Sequence, residues 1–205
     1  MIVTDIRRID DKRYCLYIDY EPYASVYTSD IKRLRLEIGA EIEGDRLESF
    51  RRDYLYKRAM NKAVNSIKFS DKCEYEIVQK LRDLYYDEEI IAHTVGRLKE
   101  YGYIDDYRYA GGYIRRNSSK KGAKIIRYEL QSKHIDQNVI DRAMADSDIP
   151  DENDRIYHIL QKRYSDRDLI DNRKKVLAYM YNKGFDGRKV SQCIEKMLED
   201  TKLRD

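Results

Sequence analysis

The sequence predicts a mainly α-helical protein: a tandem array of three three-helix repeats, elongated and curved, behind a small N-terminal β-rich module. Three observations predict it. The 205 residues include only two prolines, Pro22 and Pro150, so long stretches are free to be helical. Apolar residues recur at helical spacing from about Asp45 onward. One combined pattern of apolar residues and a helix-capping Asp then occurs three times.

That pattern sets the organisation. Leu81, Leu130 and Met180 each stand six residues before an Asp, namely Asp87, Asp136 and Asp186. Four residues after each Asp come Ile91, Ile140 and Val190, and eight after come Val95, Met144 and Ile194. Ile77, Ile126 and Val176 stand four before each anchor, and the anchors are spaced 49 and then 50 residues apart. Repeats that touch mainly their neighbours make a long, curved molecule. The expected segments are 1–52 for the β-rich module, then 53–104, 105–150 and 151–205 for the repeats.

The elements come in order along the chain. Ile2 to Ile9, Arg13 to Tyr20 and Tyr23 to Tyr27 are rich in β-branched and aromatic residues and read as three strands. Asp10-Asp11-Lys12 and Glu21-Pro22 are the expected turns. Ser29-Asp30 caps a short helix around Ile31 to Leu36, stopped by Gly39. So small a module is stable only if it packs on the helices C-terminal to it. In the first repeat Leu55, Ala59, Ala63 and Ile67 form one helical stripe. Ser70 is the expected cap of a second helix carrying Cys73, Ile77 and Leu81, and Asp87 of a third that Gly102 ends. The second repeat places helices near Asp105–Asn117, Gly122–Ser132 and Gln137–Ala145. The third places them near Asn153–Arg163, Asp166–Lys183 and Gly187–Glu199. Asp146 to Asp154, around Pro150, reads as a flexible joint.

Composition narrows the function classes. Charged residues make up 39% of the chain, and 20 Tyr stand against 3 Phe and no Trp, which suits a small core and much surface. Cys15, Cys73 and Cys193 are odd in number and lack a CxxC pair, which argues against a disulfide framework or zinc site and for a reducing compartment. Nothing reads as a signal peptide or membrane span, so a cytoplasmic protein without membrane contact is expected. Net charge is +3, with 8 basic and 11 acidic side chains in residues 1–50 and a basic excess in every later segment. The helical part therefore favours an anionic partner.

The densest one-sign charge lies between Arg115 and Lys133. Arg115, Arg116, Lys120, Lys121, Lys124, Arg127 and Lys133 are offset there only by Glu129. Such a face suits phosphates or the acidic wall of a protein filament, with affinity falling as salt rises. A merely solvated helical face is the alternative. Gly122 allows close approach at the start of a helix whose free N–H groups favour an anion. Arg173, Lys174 and Lys175 continue the basic strip in the third repeat. Tyr164, Tyr179 and Tyr181 lie beside it, with Tyr179 expected in the core.

Asp105-Asp106 form an acidic pair, but their position ahead of a helix is explained by capping without catalysis. His93, His134 and His158 have no ligand spacing, and no GxxxxGK[ST] loop is present. No catalytic constellation is found, so the expectation is a protein that is not an enzyme and takes no cofactor.

The run Gly102-Tyr103-Ile104-Asp105-Asp106, then Arg108-Tyr109-Ala110, Lys121-Gly122, Ile126, Glu129-Leu130, Lys133 and Ile135-Asp136, resembles the central motif of the RecX family, bacterial regulators of the RecA recombinase. The three-repeat layout with an N-terminal extension is similar too. His134, where the family usually has Gly at the helix end, and Gly111-Gly112 depart from the motif. The resemblance implies a monomer that lodges in the groove of the RecA–single-stranded DNA filament and most often inhibits it, in DNA repair, recombination and the SOS response. It also implies contact with single-stranded DNA, direct or through RecA. A stand-alone DNA-binding helical module and a helical protein-interaction scaffold are the alternative readings.

Overall fold

The computed structural model describes the backbone of residues 1–202 and side chains through Asp200; residues 203–205 of the last expected segment lie outside the described residues. The chain forms two compact units, Met1–Asp105 and Asp106 onward.

The first unit opens with an antiparallel sheet of β1 (Val3–Arg8), β2 (Arg13–Ile18) and β3 (Glu21–Tyr27), in that order. The turn between β2 and β3 is Asp19-Tyr20, both at positive φ (48° and 73°), where Glu21-Pro22 was expected. Glu21 and Pro22 instead pair with Ile18 and Tyr17. A two-residue turn with both residues left-handed matches the right-handed twist of the strands. The sheet buries Val3, Leu16, Ile18, Ala24 and Val26.

Helix α1 (Thr28–Leu34) starts before the expected Ile31 and ends at Arg35, whose φ is 47°. The Asp30 carboxylate accepts from the Tyr27 N–H at 2.8 Å, so it caps from the third helical position. Helix α2 (Gly44–Phe50) runs into a π-helical turn (Arg51–Leu55) and then α3 (Tyr56–Phe69), so the segment limit at 52/53 lies inside one helical run. Helices α4 (Glu74–Asp83) and α5 (Glu88–Glu100) complete the unit. Ser70 comes just after the end of α3 and does not cap α4. That position belongs to Cys73, whose N–H donates to Glu76 at 3.3 Å.

One hydrophobic cluster runs from Val3 through Leu55, Ala59, Ile77 and Leu98 to Ile104, so the sheet and the first repeat share a core. Ile67, the last of the expected stripe, is half-buried. Two ion pairs reinforce the join. Asp30, fully buried, takes both guanidinium arms of Arg58 (Nη2 to Oδ1 2.8 Å). Arg51 reaches Asp87 at 2.5 Å and also Glu89.

The second unit holds α6 (Asp106–Asn117), α7 (Ala123–Gln131), α8 (Gln137–Asp146), α9 (Glu152–Arg163), α10 (Asp166–Asp171), α11 (Arg173–Asn182) and α12 (Gly187–Lys202). The single helix expected over Asp166–Lys183 is broken at Asn172 (φ −115°, ψ 19°), so the third repeat has four helices. In all three repeats the first helix packs on the last: α3 on α5, α6 on α8 and α9 on α12. An ion pair also ties the second helix of each repeat to the last, with α11 in that role in the third: Glu74–Lys99 at 2.5 Å, Arg127–Asp141, and Arg173–Glu195 at 2.6 Å.

The threefold pattern has a physical basis. Leu81, Leu130 and Met180 are fully buried, as are Ile77 and Ile126, with Val176 nearly so. Burying each such side chain contributes about 1.5–3 kcal/mol. Met144 is the exception: it is half-buried, and neighbouring Ala143 takes the inward position. After each second helix one residue turns left-handed: Tyr85 (φ 61°), His134 (56°) and Gly184 (83°). The next N–H, of Tyr86, Ile135 or Phe185, closes back on the anchor carbonyl at 3.2, 3.3 and 3.2 Å. This is a Schellman ending whose next apolar residue is buried. The Asp then caps the last helix: Asp87 accepts from Ile90 at 2.9 Å, Asp136 from Asn138 at 2.8 Å and Asp186 from Arg188 at 2.8 Å. Six residues from anchor to Asp are thus the length of one helix-turn-cap unit.

Candidate anion-binding interface

The expected basic residues divide sharply once their neighbours are known. Lys121 lies against Glu129 at 2.6 and 2.8 Å, and the Tyr113 hydroxyl donates to the same carboxylate at 2.7 Å. Burial pushes the Glu129 carboxyl up, but hydrogen bonds from Lys121 and Tyr113 outweigh it and hold the pKa below its ordinary value. The bond to Glu129 raises the Lys121 ammonium in turn. Arg127 is paired with Asp141, and Arg173 donates to Ser191 (2.7 Å) and Glu195 (2.6 Å). These three hold the repeats together. Lys133 is half-buried with its ammonium 5.7 Å from the Tyr109 ring.

The others face solvent. Arg115, Arg116, Lys120 and Lys124 are exposed in the second repeat, and Lys174 and Lys175 are exposed on α11. Lys124 sits 5.6 Å from the ring of Tyr181, itself 62% exposed. Tyr179, expected in the core, is half-buried and packs against the core of the third repeat, with the Arg163 guanidinium 4.4 Å from its ring centre and Tyr164 edge-on at 6.4 Å.

The second and third repeats are clasped backbone to backbone. The Gly122 N–H donates to the Lys183 carbonyl at 2.8 Å. A Cβ on Gly122 would lie 2.0 Å from the Gly184 oxygen, and one on Gly184 would lie 2.6 Å from Ile125. Gly122 therefore does allow close approach, but the approaching group is the chain itself. Arg155 adds a bridge, donating to the carbonyls of Ser118 (2.7 Å) and Lys121 (3.2 Å). The expected joint at 146–154 is spanned by these contacts. Burial lowers the Arg155 pKa from its ordinary value.

Beside the clasp lies a cleft of about 460 Å³ that includes Lys120, His158, Lys162, Arg163, Tyr179 and Lys183 in its lining. A second cleft, of about 510 Å³, shares Ser119 and His158 with it and carries Arg115, Arg155, Asp148 and Asp154. Sequence reasoning missed Lys162, Arg163 and His158. The Lys162-Arg163-Tyr164 cluster at a helix end was the available signal, but only the clasp brings it beside Lys120. Among the described residues no group of three metal-ligating side chains comes together, and no helix is long and apolar enough to cross a membrane. Cys15, Cys73 and Cys193 are buried thiols.

Comparison with known proteins shows what these features are similar to. Residues 59–98 match the family profile "RecX, first three-helix domain", and residues 105–144 match "RecX, second three-helix domain". The regulatory protein RecX of Clostridium beijerinckii is 27% identical over 206 residues, covering 97% of this chain and 95% of that protein. The regulatory protein RecX of Clostridium tetani is 27% identical over 200 residues, covering 95% and 92%. The chain thus resembles the RecX family, in two of its three-helix domains by profile and over nearly its whole length by these relatives.

Solved RecX structures share the fold. The crystal structure of a regulatory protein RecX superposes with a TM-score of 0.61 at 23% identity, covering 98% of this chain and 100% of that one. RecX from Lactobacillus salivarius gives 0.59 at 24% identity, covering 70% of this chain and 96% of that one. In this chain His134 occupies the left-handed turn position that Gly184 fills in the third repeat. The turn is the same whichever residue stands there.

Proposed function

We propose that this chain regulates the RecA recombinase by binding the RecA–single-stranded DNA filament and limiting its activity, in DNA repair and the damage response of the bacterial cytoplasm. The observation that carries the reading is the correspondence, over nearly the whole chain, to proteins named regulatory protein RecX. In this reading the chain acts as a monomer and needs no cofactor. Its segments 1–52, 53–104, 105–150 and 151–205 are the module and repeats that spread the contact over neighbouring filament subunits. Many weak polar contacts add through multivalency, without one deep pocket.

The solvent-facing cations Arg115, Arg116, Lys120, Lys124, Lys174 and Lys175 are the contacts to filament or DNA. Lys121, Arg127 and Arg173 support them by holding the repeats in shape, since their charges are already paired. The test is inhibition of RecA strand exchange by a variant with Lys120, Lys124, Lys174 and Lys175 all changed to Glu. Loss of inhibition, with co-sedimentation on preformed filaments abolished at low salt, is the expected result. Full inhibition by a folded variant would refute this face. Retained DNA binding in a wild-type protein that ignores RecA would favour the stand-alone DNA-binding reading.

A further inference from the structure

We propose that the cleft between the second and third repeats is a binding site for a phosphate-bearing ligand with two or more phosphate groups. Among the described residues four cations line it, Lys120, Lys162, Arg163 and Lys183, and no carboxylate does. Glu129 feels Lys183 at longer range, but its own hydrogen bonds go to Lys121 and Tyr113. Arg163 and Lys183 share one ring, at 4.4 and 5.6 Å from the centre of Tyr179, so the two charges lie within about 10 Å of each other. Elsewhere this chain spends Arg and Lys on nearby Asp and Glu, as at Lys121–Glu129, Arg127–Asp141 and Arg173–Glu195. Here four positive groups face one space with no carboxylate in its walls among the described residues, and a polyanion relieves their repulsion.

The walls are fixed before any ligand arrives. The Lys120 and Lys121 N–H groups both close on the Asn117 carbonyl at 2.9 Å, and Arg155 holds the carbonyls of Ser118 and Lys121. The Lys183 carbonyl takes the Gly122 N–H across the clasp. Two sides of the cleft, one from each repeat, are therefore tied at the backbone, which lowers the ordering cost of binding. A volume of about 460 Å³ falls in the range of small-ligand sites. Phosphates fit this space better than an acidic peptide. A phosphate concentrates up to two charges on one group, whereas an extended peptide spreads one charge over each residue of about 3.4 Å. Arg163 offers a planar fork to phosphate oxygens and the lysines offer point charges. His158 lines both this cleft and the adjoining one that carries Arg115.

The site does not depend on the RecA reading, and its test contains no RecA, so the two fail separately. Binding of tripolyphosphate, and of a fluorescent twelve-nucleotide oligothymidylate, is measured by titration on the full chain at low salt. Three double variants are compared: Lys162→Glu with Arg163→Glu, Lys120→Glu with Lys183→Glu, and, outside the cleft, Arg188→Glu with Lys196→Glu. Tripolyphosphate binding is expected to fall at least tenfold in both cleft pairs and to change less than threefold in the control pair. Lys162 and Arg163 are exposed, so that pair carries the test if the other misfolds; far-ultraviolet dichroism checks each.

Oligonucleotide binding that tripolyphosphate displaces, and that falls in the same variants, assigns the site to backbone phosphates. Tripolyphosphate binding that the oligonucleotide leaves untouched assigns it to a free polyphosphate or nucleotide. Absence of tripolyphosphate binding, equal loss in the control pair, or equal competition by polyglutamate at matched charge would overturn the proposal.

Discussion

Gly122→Ala isolates the clasp between the second and third repeats. The backbone of Gly122 sits at φ −73° and ψ 162°, open to any residue, so an added methyl brings no torsional strain. Its cost comes from contact alone. The new Cβ would lie 2.0 Å from the Gly184 oxygen, 2.2 Å from the Gly184 carbonyl carbon and 2.7 Å from the Phe185 nitrogen. All three are backbone atoms, so no side chain can swing aside. The two segments must part by roughly 1 Å or more to restore ordinary contact. Parting them breaks the 2.8 Å bond from Gly122 to Lys183, worth about 1 kcal/mol. Over-packing adds about 1–3 kcal/mol. The expected destabilisation is therefore about 2–4 kcal/mol, read from urea unfolding of the full chain by far-ultraviolet dichroism. Gly96→Ala is the control. It lies inside α5 with nothing within 4 Å of its Cβ, and should gain up to about 1 kcal/mol from helix propensity. If Gly122→Ala matches the parent while Gly96→Ala gains, the clasp does not hold the repeats together.

Two further outcomes concern the first unit and the turns. Asp30→Asn removes the charge facing Arg58 and should cost about 3 kcal/mol at neutral pH, since it leaves a guanidinium without its partner. Burial works to raise the Asp30 pKa, but Arg58 and the Tyr27 N–H outweigh it and hold the carboxyl below its ordinary value. Its stabilisation is thus present above about pH 4 and is lost as pH falls through the lower folded value; the gap between parent and variant in acid titrations of unfolding should close there. A gap that stays constant down to about pH 2 would contradict the pairing. His134→Gly places the unstrained residue at φ 56° and should raise stability by about 0.5–1 kcal/mol, seen as a higher melting temperature. A lower one would mean that the His134 side chain contributes more than its backbone costs.

The parts of this fold that were legible in the sequence share one property: they are local. The alternation of strand residues, the four-residue stripes and the caps at Asp87, Asp136 and Asp186 each depend on neighbours within two turns of chain. The three buried anchors and their Asp partners stand where their spacing placed them. Errors fell where two local signals competed. Ser70 is a good cap by residue type, yet Cys73 holds the position because it starts the helix that buries Ile77 and Leu81. Pro22 suggested a turn, but it tolerates β3 while Asp19-Tyr20 provide the tighter hairpin. The break at Asn172 left no signal, because its flanks are helical in pattern on both sides.

Charge was legible in amount and not in use. Lys120 and Lys121 are neighbours of the same type, yet one is exposed in a cleft and the other is bound to Glu129. Which of them remains available depends on where α7 directs Glu129 and on where the third repeat lies. By itself, then, the sequence determined the helical class, the threefold repeat, its caps and its basic bias, because periodicity and capping act over a few residues. The tertiary structure alone decided which cations are spent on carboxylates and which line a shared cleft. It also decided that Gly122 meets Gly184, since only folding brings groups so distant in the chain within bonding range.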